Sequence, residues 1–316
     1  MNTILSVQHL TKKIKGKTIV NDVSFDVLAG EIVGLLGANG AGKTTTMKMI
    51  VGLSKISSGD VKIAGRSMKT EFSKALDDLG AVIEAPAFYP YLSGYENLRQ
   101  YQRLHKKASK DWLLEVASLV GIDHALKQRV GTYSLGMKQR LGIAQALLKK
   151  PKLLVLDEPM NGLDPAGVRE TRTYLNQIAD ELGVSVVISS HQLAEIEQMA
   201  GRVIVIQQGC LIAEQQIGDE AGSSVLQLTL HVNDAERAGK ALTEFSGGIH
   251  RSLKSKQAEQ LPGGLYAIAI TLEEEQVPKL IRSLCEAGVD IHRVLPAHTS
   301  LEDKFLEWTT KRGEVS

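Results

Sequence analysis

Residues 31–50 read EIVGLLGANGAGKTTTMKMI, an apolar run followed by a glycine-rich loop and a helical pattern. Its mostly apolar beginning predicts a buried strand, while Met47 and Ile50 lie at the spacing of one helix face. Between the two stands the pattern G-x-x-x-x-G-K-T, residues 37–44. A strand, a glycine-rich loop and a helix N-terminus in this order predict a phosphate site, because backbone N–H groups and the helix dipole converge on an anion. The stretch therefore predicts an α/β fold built around a bound phosphate chain.

The candidate phosphate-binding residues lie along this loop and the first turn of the helix. Its glycines let the backbone curl around an anion. Lys43 is predicted to reach the β- and γ-phosphates of ATP, and the Thr44 hydroxyl is predicted to bind Mg²⁺. A glycine turn beside a solvated lysine is the alternative, and the flanking strand and helix disfavour it. The full set is Gly37, Asn39, Gly40, Ala41, Gly42, Lys43, Thr44 and Thr45.

A second apolar strand, KLLVLDE at 152–158, ends in two adjacent carboxylates. Asp157 is predicted to hold the Mg²⁺ shell, and Glu158 to act as the catalytic base that activates water. Burying two neighbouring carboxylates is costly unless a cation is present. This argues for a metal and phosphate site over the alternative, a solvated strand end.

Composition limits the classes of protein to be considered. The chain has 316 residues, of which 43% are hydrophobic and 23% charged, so it can bury a core. Its formal net charge of +1 gives no reason to expect nucleic acid as a partner. Cys210 and Cys285 are isolated, which indicates neither a disulfide framework nor a thiolate metal site. No apolar run is long enough to cross a membrane, and we expect a cytoplasmic protein.

The alternation of strands and helices predicts two domains. Residues 1–216 read as an α/β core with a helical lobe inserted at about 94–148. Residues 217–316 read as a small α+β domain of β-α-β-β-α-β order, the split βαβ or ferredoxin-like arrangement. That order requires a strand near 249–256, and a closing helix is predicted at 300–310.

The segment TYSLGMKQRLGIAQALLKKPKLLVLDEP, residues 132–159, discriminates among phosphate-loop enzymes. Here the chain resembles the ATP-binding subunits of ABC transporters, whose signature LSGGQ precedes a basic helix and the carboxylate strand. Ser134 and Gly136 match the signature, whereas Tyr133, Leu135 and Met137 depart from it. The resemblance implies a P-loop ATPase core in which two such domains meet head to tail, as a homodimer or a heterodimer. Ser134 and Gly136 would then act on the partner's ATP.

Three further motifs extend this resemblance over about residues 4–215. NGLDP at 161–165 resembles the D-loop, which implies that Asp164 faces the opposite subunit. SSH at 189–191 implies that His191 contacts the γ-phosphate, as a second catalytic residue beside Glu158. GRVIVIQQGCLI at 201–212 resembles the strand pair that closes the domain. LTKKIKG at 10–16 departs from the family, because Ile14 stands where an aromatic side chain usually stacks on adenine, and weaker adenine selectivity is expected.

The segment LGAVIEAPAFYPY, residues 79–91, resembles one subgroup of these subunits, the lantibiotic-immunity and bacitracin-export proteins. There a glutamate replaces the usual glutamine of the Q-loop, and Glu84 occupies that place. A carboxylate near a γ-phosphate adds repulsion, so Glu84 is expected either to meet Mg²⁺ or to turn toward a partner. Phe88, Tyr89 and Tyr91 are candidates for a groove that receives a helix of the membrane permease. Packing of the helical lobe on the core is the alternative for these rings.

The sequence therefore predicts an ATP-hydrolysing subunit of an ABC exporter, peripheral on the inner face of the cell membrane. It would power removal of an antimicrobial peptide through a separately encoded permease. The closing segment SLEDKFLEWT resembles that of drug- and peptide-export subunits. Export of another drug or a lipid-like substrate is the first alternative. A soluble ABC ATPase of ribosome or DNA metabolism, or a scaffold that does not hydrolyse ATP, is disfavoured.

Overall fold

The computed structural model describes residues 2–105, 109–217, 225–245, 259–261, 263–296, 305 and 308. The chain forms two compact units, one of Met1–Ile217 with Phe305–Ser316 and one of Gly218–Lys304. None of the helices in the described part of the chain is long and apolar enough to cross a membrane.

The first unit contains two sheets and seven α-helices among its described residues. Its strands are β1 Thr3–Ile14, β2 Lys17–Leu28, β3 Ile32–Leu36, β4 Ser58–Ile63, β5 Arg66–Ser67, β6 Leu79–Val82, β7 Leu153–Asp157, β8 Ser185–Ser190, β9 Arg202–Gln207 and β10 Cys210–Gln216. Its helices are α1 Lys43–Ile50, α2 Phe72–Asp77, α3 Gly94–Gln102, α4 Lys110–Leu119, α5 Leu135–Leu147, α6 Pro165–Leu182 and α7 Leu193–Glu197.

The larger sheet carries the site and has the strand order β10-β9-β3-β8-β7-β6. Its strands pair in parallel except for β10, which runs antiparallel to β9. All residues of β3, β7 and β8 are buried, as expected for the continuous apolar runs of a sheet covered on both faces. The carboxyl ends of β3, β7 and β8 therefore meet at one edge, and the loop before α1 lies at that edge.

A smaller antiparallel sheet of order β2-β1-β4-β5 packs on the same core. Met47 and Ile50 of α1 belong to that core, together with Leu35 of β3 and Val155 of β7. Lys15 and Gly16 join β1 to β2, and both have positive φ angles, 47° and 82°. This is the backbone of a two-residue hairpin turn that matches the twist of its strands, and glycine adopts it readily. Ile14 stands beside this turn.

The predicted helical lobe contains α3, α4 and α5, and buried polar contacts join its parts. The indole Nε1 of Trp112 in α4 donates to the Leu147 carbonyl oxygen of α5 at 3.1 Å. Tyr133, which stands in the signature segment, donates its hydroxyl to the Ala125 carbonyl oxygen at 2.7 Å. Burial of Tyr133 raises the pKa of its hydroxyl. The tyrosine of YSLGM therefore packs inward.

The second unit is an antiparallel sheet with two helices, and its own core confirms the α+β class. Its elements are β11 Val225–Val232, α8 Ala235–Glu244, β12 Glu259–Gln260, β13 Tyr266–Glu273, α9 Val277–Glu286 and β14 Ile291–Pro296. The strand order β12-β13-β11-β14 is that of the split βαβ fold. Leu230, Ile270 and Leu280 belong to its core. The predicted strand at 249–256 lies outside the described residues, as does the closing helix 300–310 apart from Phe305 and Trp308, which are helical.

Candidate active site

The loop between β3 and α1 is shaped by close backbone approaches. A Cβ atom at Gly37 would lie 2.3 Å from the Ile206 carbonyl oxygen, so no larger residue fits there. Gly42, directly before α1, has a φ of 111°, which disfavours any residue with a side chain. Asn39 and Gly40 are exposed, whereas Ala41 is buried. The loop therefore presents its exposed arc, residues 38–40, directly before the N-terminus of an eight-residue helix.

Lys43 is buried at the first position of α1. Its Nζ donates to the Gly37 carbonyl oxygen at 2.7 Å and lies 3.8 Å from Oε1 of Glu158. Burial lowers the pKa of Lys43, and the negative charges of Glu158 and Asp157 oppose that shift. The loop thus holds an ammonium group that faces two carboxylates.

Asp157 is buried at the end of β7, and hydroxyl groups surround it. Thr44 Oγ1 donates to Asp157 Oδ1 at 3.2 Å, and Ser189 Oγ of β8 donates to the same oxygen at 2.6 Å. Among the described residues no lysine or arginine forms an ion pair with Asp157. Thr45, half-buried, follows Thr44 in the first turn of α1. The Thr44 and Asp157 oxygens are donors that a hard divalent cation prefers.

Glu158 and His191 form a pair at the ends of neighbouring strands. His191 Nδ1 lies 2.6 Å from Glu158 Oε2, and the Glu158 backbone N–H donates to Ser189 Oγ at 2.9 Å. Glu158 has a φ of 50°, an uncommon backbone conformation for a residue other than glycine. Burial raises the pKa of the nearby Glu195, Glu158 raises it further and His191 lowers it. The contact with His191 fixes the orientation of the Glu158 carboxylate, a group that can serve as a general base.

Glu84 lies two residues beyond β6 and also has a positive φ, 62°. Its Oε1 lies 2.6 Å from Nζ of Lys48, which is on α1. The Glu84 side chain is 66% exposed, so this pair remains open to exchange with solvent and ligands. Within the chain its partner is a lysine, and the expectation that Glu84 meets Mg²⁺ or turns toward a partner stays a prediction.

The aromatic residues after Glu84 divide into two groups. Tyr89 and Tyr91 are exposed, with ring centroids 5.9 Å apart. Phe88 is half-buried. Asn97 of α3 holds the segment through hydrogen bonds with the backbone of Tyr89, at 2.9 Å and 3.1 Å. Two of the three rings are therefore presented on the surface by an anchored loop.

The signature segment and the D-loop form a second cluster. Ser134 Oγ caps α5 by accepting from the Met137 N–H at 3.2 Å, and Asp164 Oδ1 caps α6 by accepting from the Gly167 N–H at 3.0 Å. A Cβ atom at Gly136 would lie 3.3 Å from Leu163, so the two segments touch. Ser134 and Asp164 are exposed. Ile14, 47% exposed, lies at the tip of the β1–β2 hairpin.

Sequence reasoning missed three residues of the site. Ser189 was visible in SSH, since a serine at the end of a buried strand is well placed to bond a neighbouring strand's carboxylate. Glu195 follows His191 by four residues. The sequence indicates Lys48 only weakly: it follows Thr44 by four residues and so shares a face of the helix with it.

Comparison with known proteins assigns the family. The model of the ABC transporter family matches residues 20–161. YhcH of Bacillus subtilis (strain 168), an uncharacterized ABC transporter ATP-binding protein, is 43% identical over 99% of this chain and 98% of its own. The bacitracin transport ATP-binding protein BcrA of Bacillus licheniformis is 37% identical over 97% of each chain. The lantibiotic transport ATP-binding protein SrtF of Streptococcus pyogenes is 40% identical over 67% of this chain and 91% of its own.

Solved structures agree with these relatives. An ATP-binding subunit of an ABC transporter superposes with a TM-score of 0.62 at 28% identity, over 69% of this chain and 91% of that one. The predicted fold class and enzyme class are confirmed: the chain binds ATP and is an ATPase. Subunits of this kind dimerise and work with a membrane permease. The predicted resemblance to the bacitracin and lantibiotic subgroup is confirmed by BcrA and SrtF. This chain belongs to the ABC transporter family as one of its ATP-binding subunits.

Proposed function

We propose that this chain powers the export of an antimicrobial peptide, of the bacitracin or lantibiotic type, through a separate membrane permease. One observation carries the proposal: the similarity to the bacitracin transport protein BcrA runs over 97% of both chains, and so includes the second unit as well as the ATPase core. The chain would act at the inner face of the cell membrane, bound to the permease.

Within this function we assign Lys43 to the β- and γ-phosphates of ATP, with the loop residues 37–45 as the cradle. Thr44 and Asp157 would hold Mg²⁺, since their oxygens are 3.2 Å apart and Asp157 is buried with hydrogen bonds from hydroxyl groups. Bound Mg²⁺ would neutralise charge on the β- and γ-phosphates. The fit of these donors supports the assignment.

Glu158 would take the proton of the attacking water. Its carboxylate is held by His191 Nδ1 at 2.6 Å and faces Lys43 at 3.8 Å, so it lies beside the group that binds the γ-phosphate. His191 would orient the carboxylate and contact the γ-phosphate. Ile14, at the tip of the hairpin, would cover the adenine ring of ATP.

Ser134, Gly136 and Asp164 would serve the ATP of a second subunit. Their exposure supports this assignment. Ser134 and Asp164 are exposed N-cap residues of α5 and α6, and helix N-termini attract the negative charge of phosphates. Two subunits facing head to tail, identical or different, would each complete the other's site. Tyr89 and Tyr91 would receive a permease helix.

Growth of a sensitive Gram-positive host against a panel of lantibiotics and bacitracin tests the proposal. The wild-type chain, Lys43→Ala and Lys240→Ala are each expressed with the permease subunits. Lys240 is an exposed lysine of the second unit paired with Glu236, and serves as the matched control. We expect Lys43→Ala to lose protection against one peptide class and Lys240→Ala to retain it. Equal growth of all three strains across the panel would contradict the peptide cargo.

A further inference from the structure

An ion pair joins the phosphate-loop helix to the end of the edge strand β6. Lys48 Nζ of α1 lies 2.6 Å from Oε1 of Glu84. The Lys48 side chain is 35% exposed and that of Glu84 is 66% exposed. Pairs this exposed contribute little to stability, because solvent screens them. The contribution of this pair to the stability of the fold is therefore expected to be small.

One face of α1 spans the ends of two neighbouring strands. Thr44 and Lys48 are four residues apart, so they share a face at a separation of about 6 Å along the helix axis. Thr44 bonds Asp157 at the end of β7, and Lys48 bonds Glu84 beyond the end of β6. Parallel strands lie about 4.8 Å apart, close to the separation of the two helix residues. The helix thus places one partner over each strand end.

Register puts Glu84 level with Glu158. Val82 of β6 pairs with Leu156 of β7, and each glutamate follows its strand residue by two positions. Both glutamates have positive φ angles, 62° and 50°. Each also faces a lysine of α1, Glu158 facing Lys43 at 3.8 Å and Glu84 facing Lys48 at 2.6 Å. The carboxyl ends of β6 and β7 therefore each carry a glutamate that faces a lysine of α1.

The charges at this edge explain why the second lysine matters. Three carboxylates, those of Glu84, Asp157 and Glu158, lie at the ends of β6 and β7 and face the ammonium groups of α1. Without Lys48, the Glu84 charge would be uncompensated beside a site that must accept a polyanion.

We propose that Lys48 is a positioning residue of the ATPase site: it neutralises Glu84 and holds its carboxylate on α1, away from the incoming phosphate chain. The inference rests on the proposed nucleotide site and adds a member to it. Lys48 acts through Glu84, so its importance depends on the charge of that residue. Removing the Glu84 charge makes Lys48 dispensable.

Binding of the fluorescent analogue TNP-ATP to the purified full-length chain tests this dependence. The variants are Lys48→Gln, Glu84→Gln, the double variant and Lys48→Arg. We expect Lys48→Gln to weaken binding about fivefold at low salt, and to have little effect when Glu84 is already glutamine. Lys48→Arg retains wild-type binding, since it keeps the charge. The loss of binding caused by Lys48→Gln when Glu84 is present becomes smaller as the salt concentration is raised.

Two controls separate the possible failures. Lys74→Gln removes an exposed lysine paired with Glu71 on α2, and leaves binding unchanged. Lys43→Ala tests the site itself, and unchanged binding would overturn the nucleotide site together with this inference. If Lys43→Ala weakens TNP-ATP binding, but Lys48→Gln changes binding by the same factor with Glu84 present and with Glu84→Gln, only the role of Lys48 is overturned. An unchanged thermal midpoint shows that Lys48→Gln is folded.

Discussion

At the residue scale, Glu158 combines three features that suit a catalytic base. Its backbone is held in an uncommon conformation, its carboxylate lies 2.6 Å from His191 Nδ1, and Lys43 faces it at 3.8 Å. Strained residues of this kind persist only where the surroundings hold them, and they concentrate at functional sites.

We expect Glu158→Gln to lower the ATP turnover rate at least about 100-fold while leaving TNP-ATP binding within a factor of about three. Glutamine keeps the shape and the contact with His191, but it cannot take a proton from water. Turnover measured by phosphate release, and binding measured by fluorescence, check the two parts separately. Turnover at the wild-type rate would remove Glu158 from the role of base.

The sequence allowed the carboxylates at the strand ends to be predicted, but not their partners. Glu84 and Lys48 are 36 residues apart and meet only because α1 crosses the end of β6. Ser189 and Asp157 meet because β8 and β7 are neighbours in the sheet. Contacts of this kind depend on strand order, and no local pattern encodes them.

At the element scale, a buried arginine joins four parts of the first unit. Arg202 at the start of β9 donates to both carboxylate oxygens of Glu31, at 2.6 Å and 2.8 Å, and to the Asp26 carbonyl oxygen of β2 at 2.7 Å. It also pairs with Glu214 of β10. Hydrogen bonding to Glu31, above all, raises the pKa of Arg202.

We expect Arg202→Ala to lower the free energy of unfolding of the first unit by about 3 kcal/mol, because it leaves the Glu31 carboxylate half-buried without its partner. Arg237→Ala is the matched control, since its pair with Asp234 is exposed, and the expected cost is under about 1 kcal/mol. Urea unfolding, followed by tryptophan fluorescence for the first variant and circular dichroism for the second, measures both. Equal losses would show that burial does not decide the strength of the pair.

Elements with regular patterns were predictable, and irregular ones were not. The apolar runs at 31–37 and 152–158 correspond to β3 and β7. The smaller sheet was not predicted. Its strand β1 shifts register against β2 at several points, so its side chains do not alternate cleanly between the two faces. A periodicity of two, the main signal of a half-buried strand, is lost there.

At the scale of the whole molecule, each of the two units has a hydrophobic core of its own among the described residues. One unites both sheets of the first unit, and the other lies between the sheet and helices of the second. The candidate site residues all belong to the first unit. A ligand of that site stabilises only the part of the chain that forms it.

We therefore expect two unfolding transitions in calorimetry, with ATP and Mg²⁺ raising only the midpoint of the first unit. At a ligand concentration of about 100 times Kd, the shift is expected to be about 6 °C. Glu158→Gln is the variant of choice, because it retains nucleotide during the scan, and Lys43→Ala is the control that should show no shift. A rise of both transitions would mean that the two cores unfold together.

One packing contact has a consequence for an assembled pair of subunits. Leu135 of the signature segment lies against Gly162, where an added Cβ would come within 2.9 Å of it, and Leu163 lies against Gly136. Two leucines thus interlock the signature segment with the D-loop of the same chain. In a head-to-tail pair, each interlocked segment would lie between both ATP molecules. ATP hydrolysis would then be cooperative, and its rate would depend on ATP concentration with a Hill coefficient above 1.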